Sequence, residues 1–296
     1  MSHSALKAYL SRLPREKTAD HKLWVDDEQR VQGQYFNCAL TSQFQPVRDL
    51  EGNLRAFDAY ANSYSKADAG LSVWRMLNNA ASDDESVELD RLCRMLHVIN
   101  FFRQADSSNM SLLISVHERL LAAVTTDHGA VFRRILDSLE IPSERILLQL
   151  PQATPNQHWV LGIVAENYRC NGFKVATKAA HSDEATRHLD QFRPDLIRID
   201  SHAFRNIDSL ANVIEHADAL GTTVLFSRAD NQTDLLGVYD AIQGSGIALT
   251  KHLWTTGALF GQPRATLSVS HVVPAPKENN RLQSDEAANF RVSTRN

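Results

Sequence analysis

GFKVATKAAHSDEATRHLDQFRPDLIRIDSHAF, residues 172–204, reads as strand, loop, helix, turn and strand. Phe173–Thr177 is a short apolar run of strand length. Ser182–Phe192 has helical spacing with Ser182 placed as N-cap, and Pro194 ends the helix. Leu196–Ile199 is a second apolar strand, and it stops at an acid, Asp200. A strand–helix–strand unit of about 30 residues is a right-handed crossover in a parallel sheet. Chemistry in such sheets sits where the strands end, here at Thr177, Lys178 and Asp200.

The same alternation extends to both sides. Ser42–Val47 and Leu54–Tyr60 flank Asp49–Asn53, which contains Gly52, and together they read as a hairpin. Met76–Ala81 has helical character. Ser82 and Glu85 then form a capping box for a helix in which Leu89, Leu92, Cys93, Leu96, Ile99 and Phe102 share one face. Leu112–Val116 is a strand, followed by helical pattern through Leu139. Pro142 breaks the chain before the strand Ile146–Leu150, and residues 156–170 form the next helix. Beyond the opening stretch come a helix at Asn206–Leu220 closed by Gly221, a strand at Thr223–Phe226, a helix at Thr233–Gln243 and a last strand at Ile247–Leu249. A hairpin and helix followed by repeated strand–helix units predict an α/β fold of the (β/α)8, TIM-like barrel class.

Composition agrees with one such barrel plus extensions. The 296 residues are 43% hydrophobic and 22% charged, enough for a large core. A net charge of −4, with no basic stripe interleaved with aromatics, excludes a nucleic-acid partner from the expectation. The start, MSHSALKAYLSRLPREK, is too polar for a signal peptide, and no apolar run approaches the roughly 18 residues of a membrane span. A cytoplasmic protein with no membrane contact is expected. Cys38, Cys93 and Cys170 are odd in number and far apart, so they read as reduced residues and not as a disulfide frame or zinc site. Residues 1–40 form a polar extension with one amphipathic turn around Leu6, Tyr9 and Leu10, which packs on the barrel or stays mobile. The barrel spans 41–265, and 266–296 read as a mobile polar tail.

The order of elements and several short strings resemble the EAL domain, the bacterial phosphodiesterase fold that hydrolyses cyclic di-GMP. Phe44–Val47 is similar to the family's FQPI strand. Leu196–Asp200 followed by Phe204 is similar to its LKID..F strand, Leu220-Gly221 to the start of its LG..v.AEGVE segment, and Gly257 through Phe260–Pro263 to its closing QGY.fg.P. The resemblance implies an EAL-type barrel over roughly residues 40–265.

It also implies where the chemistry would sit, and there this chain departs. The family's metal-binding glutamate is matched by Asp58, its phosphate-gripping arginine by Asn62, and its ligand asparagine by His117. The acid of its E.TE strand is matched by Gln149, its paired aspartates by Thr177 and Lys178, and its catalytic lysine by Arg198. Its AEGVE acids are matched by Ser227 and Asp230, and its late glutamine by Thr256. What remains of the family's pattern is Gln45, Asp58 as a shortened acid, Asp200 and Asp230. The dimer loop of the family is matched by Ala179–Ser182, without its glycines.

An EAL-type site holds divalent cations in hard oxygen ligands that activate a water. A neutral amide at Gln149 and a hydroxyl at Thr177 remove negative charge from that cage, and Lys178 sets a cation where a dication belongs. Two like charges at about 4 Å repel by roughly 4 kcal/mol at an effective dielectric of 20, and a dication doubles this. No metal, no cofactor and no hydrolysis are therefore expected. The chain is read as a regulatory protein that binds a protein partner, such as a transcription regulator or signalling protein, with cyclic di-GMP an unfavoured ligand. The alternative is a metal-independent cyclic di-GMP receptor using Gln45, Lys178 and Arg198. A third reading, an enzyme rewired around His117, Asp58, Asp200 and Asp230, requires those side chains to converge.

Plainer roles are expected elsewhere. His117 caps the helix starting at Glu118. His181 and His188 lie on a solvated helix face, and Arg198 pairs with Asp200 on one strand face. Asp83–Glu85 is helix-cap charge, and Gln243–Gly246 is a turn without the lysine of a phosphate loop.

Overall fold

The computed structural model describes residues 3–18, 21–36, 38–63, 82–107, 109–119, 129–152, 158–202, 207–245 and 252–267. Its centre is the predicted hairpin, β3 (Cys38–Asp49) and β4 (Leu54–Ser63), paired antiparallel along most of its length. The turn is fixed locally. Asp49 Oδ1 accepts from the amides of Glu51 (3.1 Å) and Asn53 (2.8 Å), and Gly52 takes the left-handed φ of 88° that a Cβ would strain.

From β4 the strands run in parallel: β5 (Ser111–Ser115), β6 (Ile146–Gln149), β7 (Lys174–Ala179), β8 (Leu196–Asp200), β9 (Thr223–Ser227) and β10 (Leu253–Thr255). β10 then pairs antiparallel with β3, so β3–β10 close into an eight-stranded barrel in which β3 alone is reversed. The predicted barrel class is observed. Its last strand is not the one expected. Ile247–Leu249 lies outside the described residues, and the closing strand is Leu253–Thr255, too short to declare a period. Met76–Ala81 likewise lies outside the described residues.

Helices cover the outside. Numbered along the chain they are α1 (Ser4–Arg12), α2 (Asp83–Phe102), α3 (Ala130–Ser138), α4 (His158–Cys170), α5 (Ser182–Phe192), α6 (Ile207–Ala219) and α7 (Gln232–Ser245). Ser82 caps α2 as expected, accepting from the Glu85 amide at 3.2 Å. The cap of α5 is His181 and not Ser182. The His181 ring accepts from the Glu184 amide (3.2 Å), while the Glu184 carboxylate accepts from Ala180 N (2.7 Å), so the capping pair starts one residue earlier. His188, expected on a solvated face, is 1% exposed and packs against Phe192 with Glu184 beside it. The face of α5 carrying Ala185, His188, Leu189 and Phe192 is the buried one.

The first 40 residues contribute structure. α1 buries Leu6, and its N-terminus meets Glu140, whose carboxylate accepts from Ser4 Oγ (2.7 Å) and Ala5 N (3.1 Å). β1 (Leu23–Val25) and β2 (Val31–Tyr35) extend the sheet beyond β3. At the other end Leu267 is buried and its amide donates to Gln104 Oε1 (2.9 Å). Residues 268–296 of the expected tail lie outside the described residues.

Candidate functional site

Each barrel strand sends one apolar side chain into the lumen: Val47, Ala56, Leu113, Leu147, Ala176, Leu196, Leu225 and Trp254. Side chains two apart on a strand share a face. Two residues from each plug residue, toward the C-terminal mouth of the parallel strands, lie Gln45, Asp58, Ser115, Gln149, Lys178, Arg198, Ser227 and Thr256. Seven of these eight are positions singled out from the sequence. Ser115 was missed, although the same parity count from Leu113 finds it.

Thr177 does not belong to this ring. Its neighbours in phase, Val175 and Ala179, pack in the outer clusters between strands and helices. Thr177 is 1% exposed, and its hydroxyl has no hydrogen-bond partner among the described residues. The sequence reading offered it as a mouth-facing hydroxyl. The pleat turns it outward and presents the exposed Lys178 instead.

The mouth is crossed by a buried network. Arg198 reaches from β8 across the lumen to β4, where Nη2 bonds Asp58 Oδ2, and its Nη1 donates to Gln149 Oε1 on β6 at 2.9 Å. Gln149 Nε2 donates to Ser115 Oγ (3.2 Å). The Tyr60 hydroxyl donates to Asp58 Oδ2 at 2.8 Å and lies 3.3 Å from Gln45 Oε1, while Gln45 Nε2 donates to the Gly261 carbonyl (3.1 Å). Asp58 is 1% and Arg198 8% exposed, so the charges meet away from water. Burial works against the arginine's charge, but the Asp58 carboxylate and the Tyr60 phenol together outweigh it and hold the Arg198 pKa above its ordinary value. Burial, then Asp58, pushes the Tyr60 phenol up as well. Tyr60 was missed, although it stands two residues from Asp58 on the same face.

The expected Arg198–Asp200 pair is absent because each residue has a better partner. Asp200, at the end of β8, accepts from Arg228 Nη1 (3.0 Å) and from the His202 amide (2.9 Å). His202 bridges two acids, with Nδ1 3.3 Å from Asp200 Oδ1 and Nε2 3.0 Å from Asp234 Oδ1 on α7. Asp234 Oδ2 accepts from the amides of Asp230 (2.8 Å) and Asn231 (3.0 Å). Burial raises the pKa of Asp200, but its bonds to the His202 amide and to Arg228 outweigh this and hold it below the usual carboxylate range. Asp230 turns its carboxylate to Ala258 N (2.8 Å), Ser227 Oγ donates to Ile199 O (3.2 Å) and Thr256 Oγ1 to Pro46 O (3.0 Å).

His117 is engaged by α2 and by its own chain. Its amide donates to Asp90 Oδ1 on α2 (3.2 Å), and its Nδ1 accepts from Arg119 N (3.3 Å), the capping role expected of it. Asn62 sits half-buried on β4 opposite Thr41. His117, Asp58, Asp200 and Asp230 thus have separate partners and do not converge, which removes the rewired-enzyme arrangement. A cavity of about 710 Å³ lies apart from the mouth, lined by Lys17, His21, Tyr35, Phe36, Glu85 and Leu92 among others.

A barrel with its first strand reversed and a polar ring above an apolar plug defines the class. The EAL domain family matches residues 28–236, and the chain belongs to that family. Among solved structures it is similar to the Bacillus subtilis YkuI protein, which has an EAL domain and was determined with the substrate c-di-GMP and calcium. The TM-score is 0.60 and the identity 17%, covering 85% of this chain and 59% of that one. The Xanthomonas citri FimX EAL domain, in complex with c-di-GMP, gives a TM-score of 0.61 at 15% identity, covering 78% and 91%. Klebsiella pneumoniae BlrP1, as a calcium/c-di-GMP complex, gives 0.62 at 18%, covering 77% and 57%. The chain spans about three-fifths of the length of YkuI and BlrP1. At these identities the likeness is one of fold. No curated protein sequence matches the chain.

Two of these relatives carry calcium, so the donor set here must be tested against a divalent ion. The ring supplies one carboxylate, already bonded by a guanidinium and a phenol, together with neutral amides and hydroxyls and the Lys178 ammonium. Among the described residues no three His, Cys, Asp or Glu side chains group as metal ligands. Hard-cation sites are built from several oxygen ligands, usually carboxylates. A divalent ion does not fit this ring. Among the described residues no helix is long and apolar enough to cross a membrane.

Proposed function

We propose that this EAL-family chain is a non-catalytic regulatory module, which does not hydrolyse cyclic di-GMP and acts by binding a protein partner of the transcription-regulator or signalling class. The observation that carries the reading is the Arg198 guanidinium bonded to Asp58, the one carboxylate of the ring. Gln149 and Lys178 support it. Water activation by metal needs charge that this mouth has replaced by amides and cations. The barrel is otherwise intact, as an interaction scaffold requires.

A second reading is favoured by the relatives that hold c-di-GMP. In it Lys178, exposed at the mouth, would pair a phosphate without metal. Its other two contacts are engaged, since Arg198 is held by Asp58 and Gln149, and the Gln45 amide by Gly261.

Isothermal titration with cyclic di-GMP, with and without Mg²⁺, together with chromatography of the nucleotide, tests both. The expected result is no heat and no linear dinucleotide. Heat without Mg²⁺, lost in Lys178→Ala, would replace the first reading by the second. Mg²⁺-dependent turnover would refute both.

A further inference from the structure

We propose that Arg198 is the resident cation of this barrel: its guanidinium does the structural work of a bound metal, and the cup around it selects a planar monovalent cation over a divalent one. The proposal rests on the non-catalytic reading above and goes further by assigning the ring a ligand class.

The placement supports this. β8 and β4 stand on opposite sides of the eight-stranded ring, and Arg198 spans the lumen between them while also bonding β6. A lumen-spanning cation that joins three strands through oxygen atoms is what a coordinated ion would supply. Around the guanidinium lie Asp58 Oδ2 and Gln149 Oε1, one charged and one neutral acceptor. That set suits a planar fork with several N–H donors, because each acceptor meets a different N–H. It suits a divalent ion poorly, since one negative charge leaves a dication under-neutralised and Tyr60 already donates to the same carboxylate oxygen. Lys178, paired with Arg198 in register on β7, adds repulsion that a dication feels twice.

The test is chemical rescue in the full-length chain. Arg198→Ala leaves the Asp58 carboxylate buried without its cation, so the melting temperature should fall on the order of 10 °C. Guanidinium chloride at tens of millimolar, far below denaturing levels, should recover a large part of that fall against NaCl of equal ionic strength, because a ligand of the folded state alone raises the melt. Wild type and Asp58→Asn/Arg198→Ala should show no such recovery, and Mn²⁺ or Mg²⁺ should give little. A larger recovery with Mn²⁺ than with guanidinium would overturn the proposal, as would no recovery with either. Should Arg198→Ala fail to fold, Arg198→Lys and Asp58→Asn/Arg198→Met decide. The double variant, which removes both charges, should melt above Arg198→Lys, whose point charge loses the fork, and the reverse order would refute the assignment. Turnover of cyclic di-GMP by wild type would break the functional reading without altering these melts. A failed rescue would break this proposal and leave the nucleotide result standing.

Discussion

Across the lumen, between β4, β6 and β8, an aspartate and an arginine are sealed together with Gln149 and Tyr60 bonded to them. On the β8–β9–α7 side the same residue types meet in the open, with Arg228 64% and His202 44% exposed around Asp200. Burial is the difference. Within the lumen neither charge can fall back on water, so each depends on the other. At the rim water competes for every bond, and the pairs position loops more than they hold the fold.

Removing one partner on each side should expose that contrast. Asp58→Ala strands a buried guanidinium and should cost about 3–5 kcal/mol in urea unfolding at neutral pH. A loss under about 1 kcal/mol would mean that water reaches the lumen. Histidines repeat the contrast. His97, packed behind β3 with its Nδ1 2.9 Å from Ser42 Oγ, is pushed down to about 3 by burial. An unfolded chain takes up a proton on this ring below a pH of about 6.5, whereas the folded chain resists until its depressed value, so stability falls as the pH drops through that window. By pH 5 the loss from this group is about 2 kcal/mol, and His97→Asn should flatten the slope. At the rim, His202→Ala should cost about 1 kcal/mol or less, shrinking further at high salt. Lys178→Ala should shift stability by no more than about 0.5 kcal/mol in either direction. A larger change there would reveal a contact that the mouth geometry does not contain.

Legibility followed the range of each interaction. The strand–helix units were readable because apolar spacing over ten residues is set locally, and Ser82 and Glu85 marked the start of α2 for the same reason. The cap of α5 was misread by one residue, since an imidazole with a free ring nitrogen can replace a serine hydroxyl as acceptor. The closing strand was misplaced because Leu253–Thr255 is held by neighbours at Val224 and Asp49 and not by its own pattern. The site divides in the same way. Asp58, Gln149, Lys178 and Arg198 were found by their match to the EAL family's strings. Asp234 could not be, because it reaches His202 from 32 residues away through a helix N-terminus.

The sequence by itself determined the barrel class and the residue types at the mouth, amides and cations beside one carboxylate, because side-chain period and residue type are properties of the chain. Only the tertiary structure decided which charges pair. Arg198 stands two residues from Asp200 and 140 from Asp58. Closing the sheet brought the distant acid into the dry lumen and left the near one at the rim, and a desolvated pair outweighs a hydrated neighbour. The outward turn of Thr177 and the burial of His188 have the same origin, since the packed core and not the local sequence decides which face of a strand or helix is inside.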